Sequence, residues 1–309
     1  MISLDDPKVL GSERVVVIVG ASSGIGLATA LMLAKRGDSL VLAARGMNSL
    51  EAVADRCSEL GARVTLVQAD ASVAADMRRV VAAAYDRFGR LDGWVHTAAV
   101  MAYGDMTDVP TEVTSRVLDT NVMGVVHAAA AVLPEMRNQG FGTFVVTGSL
   151  LGAIATPLMG PYVTSKWAVH GLVRVLQIEQ RPFAGVDVCL VSPGAVRTPI
   201  YQAAATYVGR HGSPPPPVDK PDKVAAAIVG VLDRPKHRTS VGMANHLVVT
   251  GFRLLPSVFD VLVTPLVRRL ALARGDVPKT SGNVFESQTS NRGGNDEDEQ
   301  QRVTLSAQR

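Results

Sequence analysis

The sequence predicts an α/β protein built on a doubly wound parallel sheet of about seven strands. Three observations carry that expectation. Short apolar runs alternate with helical patterns from residue 14 to residue 241. The first run is continuously apolar rather than alternating, as a strand buried on both faces should be. A glycine-rich turn, Gly20-Ala21-Ser22-Ser23-Gly24-Ile25-Gly26, joins that run to the helix after it.

The elements follow in order. Arg14 to Val19 is the first strand, and Leu27, Ala30, Leu31 and Ala34 mark the helix that ends at Gly37. The glycines let the backbone turn tightly and approach a pyrophosphate, while the helix start offers free N–H groups and a positive dipole end. Gly20, Ser22, Ser23, Gly24, Ile25 and Gly26 are therefore expected to hold a nucleotide, although the spacing is GxxxGxG rather than GxGxxG. Ser39 to Ala43 is the second strand. Where an NAD site carries an acidic residue near this strand end, the chain has Ala44 followed by Arg45, which favours NADP(H) over NAD(H).

Ser49 to Leu60 is an amphipathic helix stopped by Gly61, and Arg63 to Val67 is the third strand. Asp70 reads as a turn residue or an acceptor for an adenine amine, beside Ala71, and Ser72 as the cap of a helix running to Phe88. Asp92 to His96 is the fourth strand; the small residues Thr97, Ala98 and Ala99 after it let a cofactor lie close. A long helix spans Thr111 to about Arg137 with Asn121 at its middle. That asparagine is either a structural polar lock or a carrier of a functional water.

Phe144 to Thr147 and Val186 to Val191 are strands five and six. The sixth leads into Pro193-Gly194-Ala195-Val196-Arg197-Thr198, which suits the nicotinamide end of a nucleotide. Thr198 to Asp219, with four consecutive prolines from Pro214 to Pro217, reads as a substrate lid. Lys220 to Leu232 is a helix and Thr239 to Val241 the last strand. The chain thus divides into a nucleotide-binding and catalytic domain (1–246), an apolar helical extension (247–280) and a polar tail expected to be disordered (281–309).

Of the 309 residues, 47% are hydrophobic and 19% charged, enough for a large core, and the net charge is +3. No concentrated basic face with aromatics stands out, which argues against nucleic acid as a partner. Cys57 and Cys189 lie far apart outside any CxxC arrangement, so neither a structural metal nor a disulfide scaffold is expected, and a reducing, cytoplasmic setting fits. Met1 to Leu10 has no apolar signal core. Leu247 to Ala273 is apolar but broken by Arg253, Pro256, Asp260, Pro265 and Arg268-Arg269. That is short of the ~20 uninterrupted apolar residues a spanning helix needs. It reads as a lid, an oligomer contact or a peripheral membrane-surface segment.

The chemistry concentrates in Tyr162-Val163-Thr164-Ser165-Lys166. At a helix start, the i, i+4 spacing places Tyr162 and Lys166 on one face. A phenol titrating at about 10 is a poor base at neutral pH, and a nearby cation favours its ionised form. Ser149, at the end of strand five, can donate a hydrogen bond to a carbonyl or hydroxyl oxygen. Met101, Leu150, Leu151, Met159 and Tyr201 neighbour these positions and suggest an apolar pocket.

Taken together, Gly20 to Gly26, Asp70, Asn121, Ser149, Tyr162 with Lys166, and Pro193 to Thr198 resemble the classical short-chain dehydrogenase/reductase family. The resemblance covers about residues 14 to 242. It implies a Rossmann fold with a nicotinamide cofactor held by the residues above, Tyr162 as general acid/base and Ser149 as carbonyl orienter. It also implies Lys166 on the nicotinamide ribose and Asn121 behind a proton-relay water. The family's helix pairing implies a homodimer or homotetramer through 113–132 and the helix after Lys166. Val19 stands where the family has Thr, and His96 where it has the first Asn of Asn-Asn-Ala-Gly; His96 reads as a core residue. The implied activity is hydride transfer between NADP(H) and a small-molecule carbonyl or alcohol, of lipophilic type. NAD(H) use and a non-catalytic nucleotide sensor are the competing readings.

Overall fold

A computed structural model describes residues 14–287. Seven strands form one parallel sheet: β1 (Val15–Val19), β2 (Ser39–Ala44), β3 (Val64–Gln68), β4 (Gly93–His96), β5 (Gly142–Thr147), β6 (Val186–Pro193) and β7 (Arg238–Val241). Their spatial order is β7-β6-β5-β4-β1-β2-β3, and every neighbouring pair is parallel. The order reverses at β1, the switch point outside which α/β sheets bind ligands. The expected seven-strand Rossmann-like fold is the observed one.

The helices cover both faces. α1 (Gly24–Ala34), α2 (Met47–Glu59) and α7 (Pro221–Asp233) pack on one; α3 (Ala74–Phe88), α5 (Gly124–Gln139) and α6 (Gly160–Gln180) pack on the other. The period-two alternation of strands divides their side chains between the layers. Val15, Val17 and Val19 of β1 join the α3/α5/α6 core, whereas Val16 and Ile18 join the α1/α2/α7 core. Both faces being buried explains why the strands read as continuous apolar runs.

The expected long helix from Thr111 is α4 (Thr111–Leu118) continuing into α5 through a π-helical turn at Asp119–Met123. Asn121 sits in that turn. Its Oδ1 accepts from Val100 N at 2.8 Å; its Nδ2 donates to Val100 O and to Ser165 Oγ, both at 2.9 Å. One buried amide therefore ties the segment after β4 to the helix that carries Tyr162. The whole stretch Thr111–Gln139 is long and apolar enough to cross a membrane, but half of its apolar window is buried within the fold.

Beyond the sheet, α8 (Asn245–Leu254) and α9 (Pro256–Leu270) form the apolar extension. Val267, Ala271 and Leu272 pack against Met101, Tyr103, Met159 and Tyr162, while Leu247, Leu254, Leu255 and Val261 face outward. Two expectations need correction. Ser72 does not cap α3, because its hydroxyl is drawn to Asp70 and Arg116 instead. Residues 281–287 are not a loose tail: Val284 is fully buried among Val100, Ala102, Val113, Val117 and Ala205, which anchors the segment. The rest of the expected disordered tail, residues 288–309, lies outside the described residues.

Asn121→Leu leaves the buried N–H and C=O of Val100 without partners, at about 1–3 kcal/mol for each unsatisfied group. Urea unfolding of this variant should show a lower midpoint with an unchanged slope. A midpoint equal to that of the parent would show that the lock does not hold the fold.

Candidate active site

The carboxyl ends of β1, β4, β5 and β6 converge on one cavity of about 1810 Å³, which runs from the glycine-rich turn to the C-terminal helices. Ser149 lies just past β5, in extended backbone before a 3₁₀ turn at Leu150–Gly152, and its Oγ accepts from Leu151 N at 3.1 Å. Pro161 sits in the first turn of α6, where its missing N–H costs nothing, and the helix begins at Gly160, two residues before Tyr162. Lys166 follows one turn later. Its ammonium donates to Thr147 O at 3.0 Å and stands 5.5 Å from the centre of the Tyr162 ring.

All three side chains are buried. Burial pushes the Lys166 pKa down to about 8. Burial, then the neighbouring Tyr201, holds the Tyr162 phenol well above its ordinary value, with Ser149 pulling it back. Around the ammonium both imidazoles are kept neutral. Burial followed by the Lys166 charge takes His96 down to about 3 and His170 down to about 4. The arrangement is a neutral phenol able to give a proton, with a cation 5.5 Å from the centre of its ring.

The turn after β1 fits a pyrophosphate. A Cβ at Gly20 would stand 2.6 Å from Ala98 N, and one at Gly26 would collide with Gly20 O, so only bare backbone lines that wall. Gly20 and Gly24 have positive φ. Ser23 caps α1 with no side-chain hydrogen bond, so the first N–H groups of the helix are left for a ligand. Val19 lacks the hydroxyl usual in the family, and Thr97 supplies a brace from β4 instead. Its Oγ1 donates to Val19 O at 2.8 Å and also lies 3.2 Å from Gly20 O. His96 provides no such brace, since among the described residues neither ring nitrogen has a partner.

Gly20, Ser22, Ser23, Gly24, Ile25, Gly26, Arg45, Asp70, Ala71, Ala98, Ser149, Tyr162, Lys166, Pro193, Gly194, Val196 and Thr198 all line this cavity. Asn121 does not; its amide hydrogens are spent on Val100 and Ser165, which gives its side chain the role of a structural lock. Asp70 is also committed. Burial raises its pKa, but bonds from Ser72 and the Arg116 guanidinium outweigh that and hold it below the ordinary carboxylate value. Thr97 was visible in the sequence only as a small residue beside a cofactor and not as a brace, while Asn245, which donates to Val241 O, and Arg116 carried no sequence signal. Arg116 is one of many helix-surface arginines until the fold brings it to Asp70.

The sequence profile described as short chain dehydrogenase matches residues 14–207. The chain belongs to the short-chain dehydrogenase/reductase family. It is therefore an oxidoreductase by family. It is 33% identical over 258 residues to the uncharacterized oxidoreductase YxnA of Bacillus subtilis, spanning 82% of this chain and 72% of that protein. Over 191 residues it is 40% identical to 11-beta-hydroxysteroid dehydrogenase A of Sesamum indicum, spanning 61% of this chain and 54% of that one. Two solved structures share the fold. An alcohol dehydrogenase from Thermococcus sibiricus complexed with 5-hydroxy-NADP is 31% identical with a TM-score of 0.65, over 74% of this chain and 94% of that one. A short-chain dehydrogenase/reductase from Burkholderia phymatum complexed with NAD is 27% identical with a TM-score of 0.71, over 82% and 97%.

The buried ammonium yields a stability prediction. A lysine pKa lowered from 10.5 to about 8 means that the unfolded chain binds more protons between those values. The penalty on the native state is therefore full below pH 8 and relieved as pH rises from 8 to 10.5. Lys166→Met should stabilise the cofactor-free protein at pH 7 by ~1–3 kcal/mol, after the lost bond to Thr147 O is allowed for. Urea unfolding at pH 7 and pH 10 measures this; a gain independent of pH would contradict the buried-charge account.

Proposed function

We propose that the chain is an NADP(H)-dependent oxidoreductase interconverting a lipophilic carbonyl compound and its secondary alcohol. The observation that carries this is Ser149, Tyr162 and Lys166 on one wall of a cavity that also contains the glycine-rich turn. The nicotinamide cofactor supplies the hydride. In the reductive direction Ser149 donates a hydrogen bond that orients the substrate oxygen, and Tyr162 delivers its proton there. Lys166 lies near enough to stabilise the resulting phenolate, and its placement suits a contact with the nicotinamide ribose. Gly20 to Gly26, Ala71, Ala98 and Pro193 to Thr198 would hold the nucleotide, with Asp70 and Arg45 towards its adenosine end.

Arg45 at the end of β2 supports a preference for the 2′-phosphate, and Arg116 adds a second cation beside it. One observation favours the NAD(H) reading instead: the Arg45 guanidinium already donates to the carbonyls of Asn283 and Val284. The substrate reading rests on the apolar wall of Met101, Leu151, Ile154, Met159, Tyr201 and Val267. A steroid, retinoid or acyl ketone suits such a wall, and the sesame relative is named for a hydroxysteroid.

Association into a homodimer or homotetramer is supported by α6, whose outer face exposes Trp167, Ala168, Gly171, Val175 and Ile178. A cytoplasmic setting, with peripheral membrane contact through 247–273, is consistent with the outward apolar face of α8 and α9.

Tyr162→Phe keeps the ring but removes the proton. Turnover should fall by about 10²–10⁴-fold while cofactor affinity, read by NADPH fluorescence, stays within twofold. Near-normal turnover would reduce Tyr162 to a packing residue. For the cofactor, NADPH should bind about tenfold or more tightly than NADH, since a charge-assisted hydrogen bond contributes ~1.5–3 kcal/mol. Arg45→Ala should erase that ratio; equal affinities in the parent would favour the NAD(H) reading.

A further inference from the structure

After α9 the chain turns back across the carboxyl end of the sheet as a strap. Val277 N donates to Gly209 O, Thr280 pairs with Thr206 in an antiparallel bridge, and Asn283 N donates to Ala203 O. Gly282 has a φ of +54°, and a Cβ there would stand 2.5 Å from the carbonyl carbon of Ala204. Only glycine lets the strap pass so close. Val284 then plugs its side chain into the core, where it is fully buried.

The main chain of this strap meets the cleft near the end of β2. Arg45 donates to Asn283 O at 2.6 Å and to Val284 O at 3.2 Å. Arg116, which also pairs with Asp70, reaches Val284 O at 3.4 Å. A Cβ at Gly46 would lie 3.4 Å from Ser287 Oγ, which puts the strap beside the residue that follows Arg45. Gly282, Asn283, Glu286 and Ser287 line the cavity and leave it open. A segment that filled the cleft would exclude a nucleotide, whereas one that lines it encloses whatever binds.

We propose that residues 282–287 form the outer wall of the adenosine subsite and clamp the bound nucleotide. Arg45 and Arg116 act as positioning residues that hold this strap through the carbonyls of Asn283 and Val284. The clamp rests on the reading of the cleft as a nicotinamide dinucleotide site, but not on the choice between NADP(H) and NAD(H), because both carry adenosine. Release of the dinucleotide then requires the strap to loosen. Arg45 therefore has two tasks, holding the strap and facing the ribose.

The test compares the full chain with Gly282→Val, which drives the strap off its seat, with Val284→Ser, which weakens its anchor, and with a chain ending at Ser281. Circular dichroism melts identify the folded variants, and if the shortened chain does not fold the two substitutions carry the test. Release of NADPH and of NADH is followed by stopped-flow fluorescence, and binding of reduced nicotinamide mononucleotide, which lacks adenosine, by titration. Both dinucleotides should leave at least tenfold faster from the strap variants, while the mononucleotide binds as in the parent. Unchanged release in folded variants would overturn the clamp alone, and slower release would show a plug instead. A parent chain that binds neither dinucleotide would overturn the nucleotide reading and the clamp with it.

Discussion

The site depends on one ammonium kept out of water. Lys166 is buried beneath the carboxyl end of the sheet, and its ammonium donates to Thr147 O. An ammonium desolvated in this way is expensive, which is why its pKa falls to about 8. The surrounding groups are arranged around that cost. His96 and His170 are neutral, so no second cation competes, and the Tyr162 ring presents its face. His170 also packs against Gly148 and Gly152, where added Cβ atoms would meet its ring, so the loop carrying Ser149 is set by the same cluster. A stabilised fold would not place a charge here. The role proposed for Lys166 accounts for it.

Both ends of the cavity are lined by the part of the chain that follows the sheet. The inner residues of α9 complete an apolar wall opposite Ser149 and Tyr162. The strap after it reaches the loop at the end of β2, where Arg45, Arg116 and Asp70 form a continuous polar network with its carbonyls. The proposed substrate and adenosine ends thus both use residues after 245, while the proposed catalytic groups come from the end of β5 and from α6. That division fits the way related folds vary function by loops and extensions on a constant sheet.

Much of this was legible in the sequence, and for identifiable reasons. A strand buried on both faces must be apolar throughout, so Val15–Val19 and the other β-strands announced themselves. The glycines of the first turn and the spacing of Tyr162 and Lys166 are local requirements, visible without knowing the fold. What escaped was non-local. Arg116 meets Asp70 across 46 residues, and Val284 joins a core built from residues 100 to 117 and Ala205. A short polar stretch carrying only the adjacent Val284 and Phe285 gives no periodic signal, so 281–287 read as tail. Asn121 lay between two readings because partners such as Val100 and Ser165 appear only once its π-helical turn is packed against α6 and the segment after β4.

In the proposed reaction Tyr162 and Lys166 serve hydride transfer to a carbonyl carbon, and an isotopic label follows that hydride. The protein is incubated with a panel of lipophilic ketones and reduced nicotinamide cofactor carrying deuterium at C4, on one face or the other, and the products are analysed by mass spectrometry. Hydride transfer gives an alcohol one mass unit heavier, with deuterium on the carbinol carbon from one cofactor face only. Cofactor bound with normal affinity while no ketone in the panel acquires deuterium would contradict it and favour a nucleotide-sensing role.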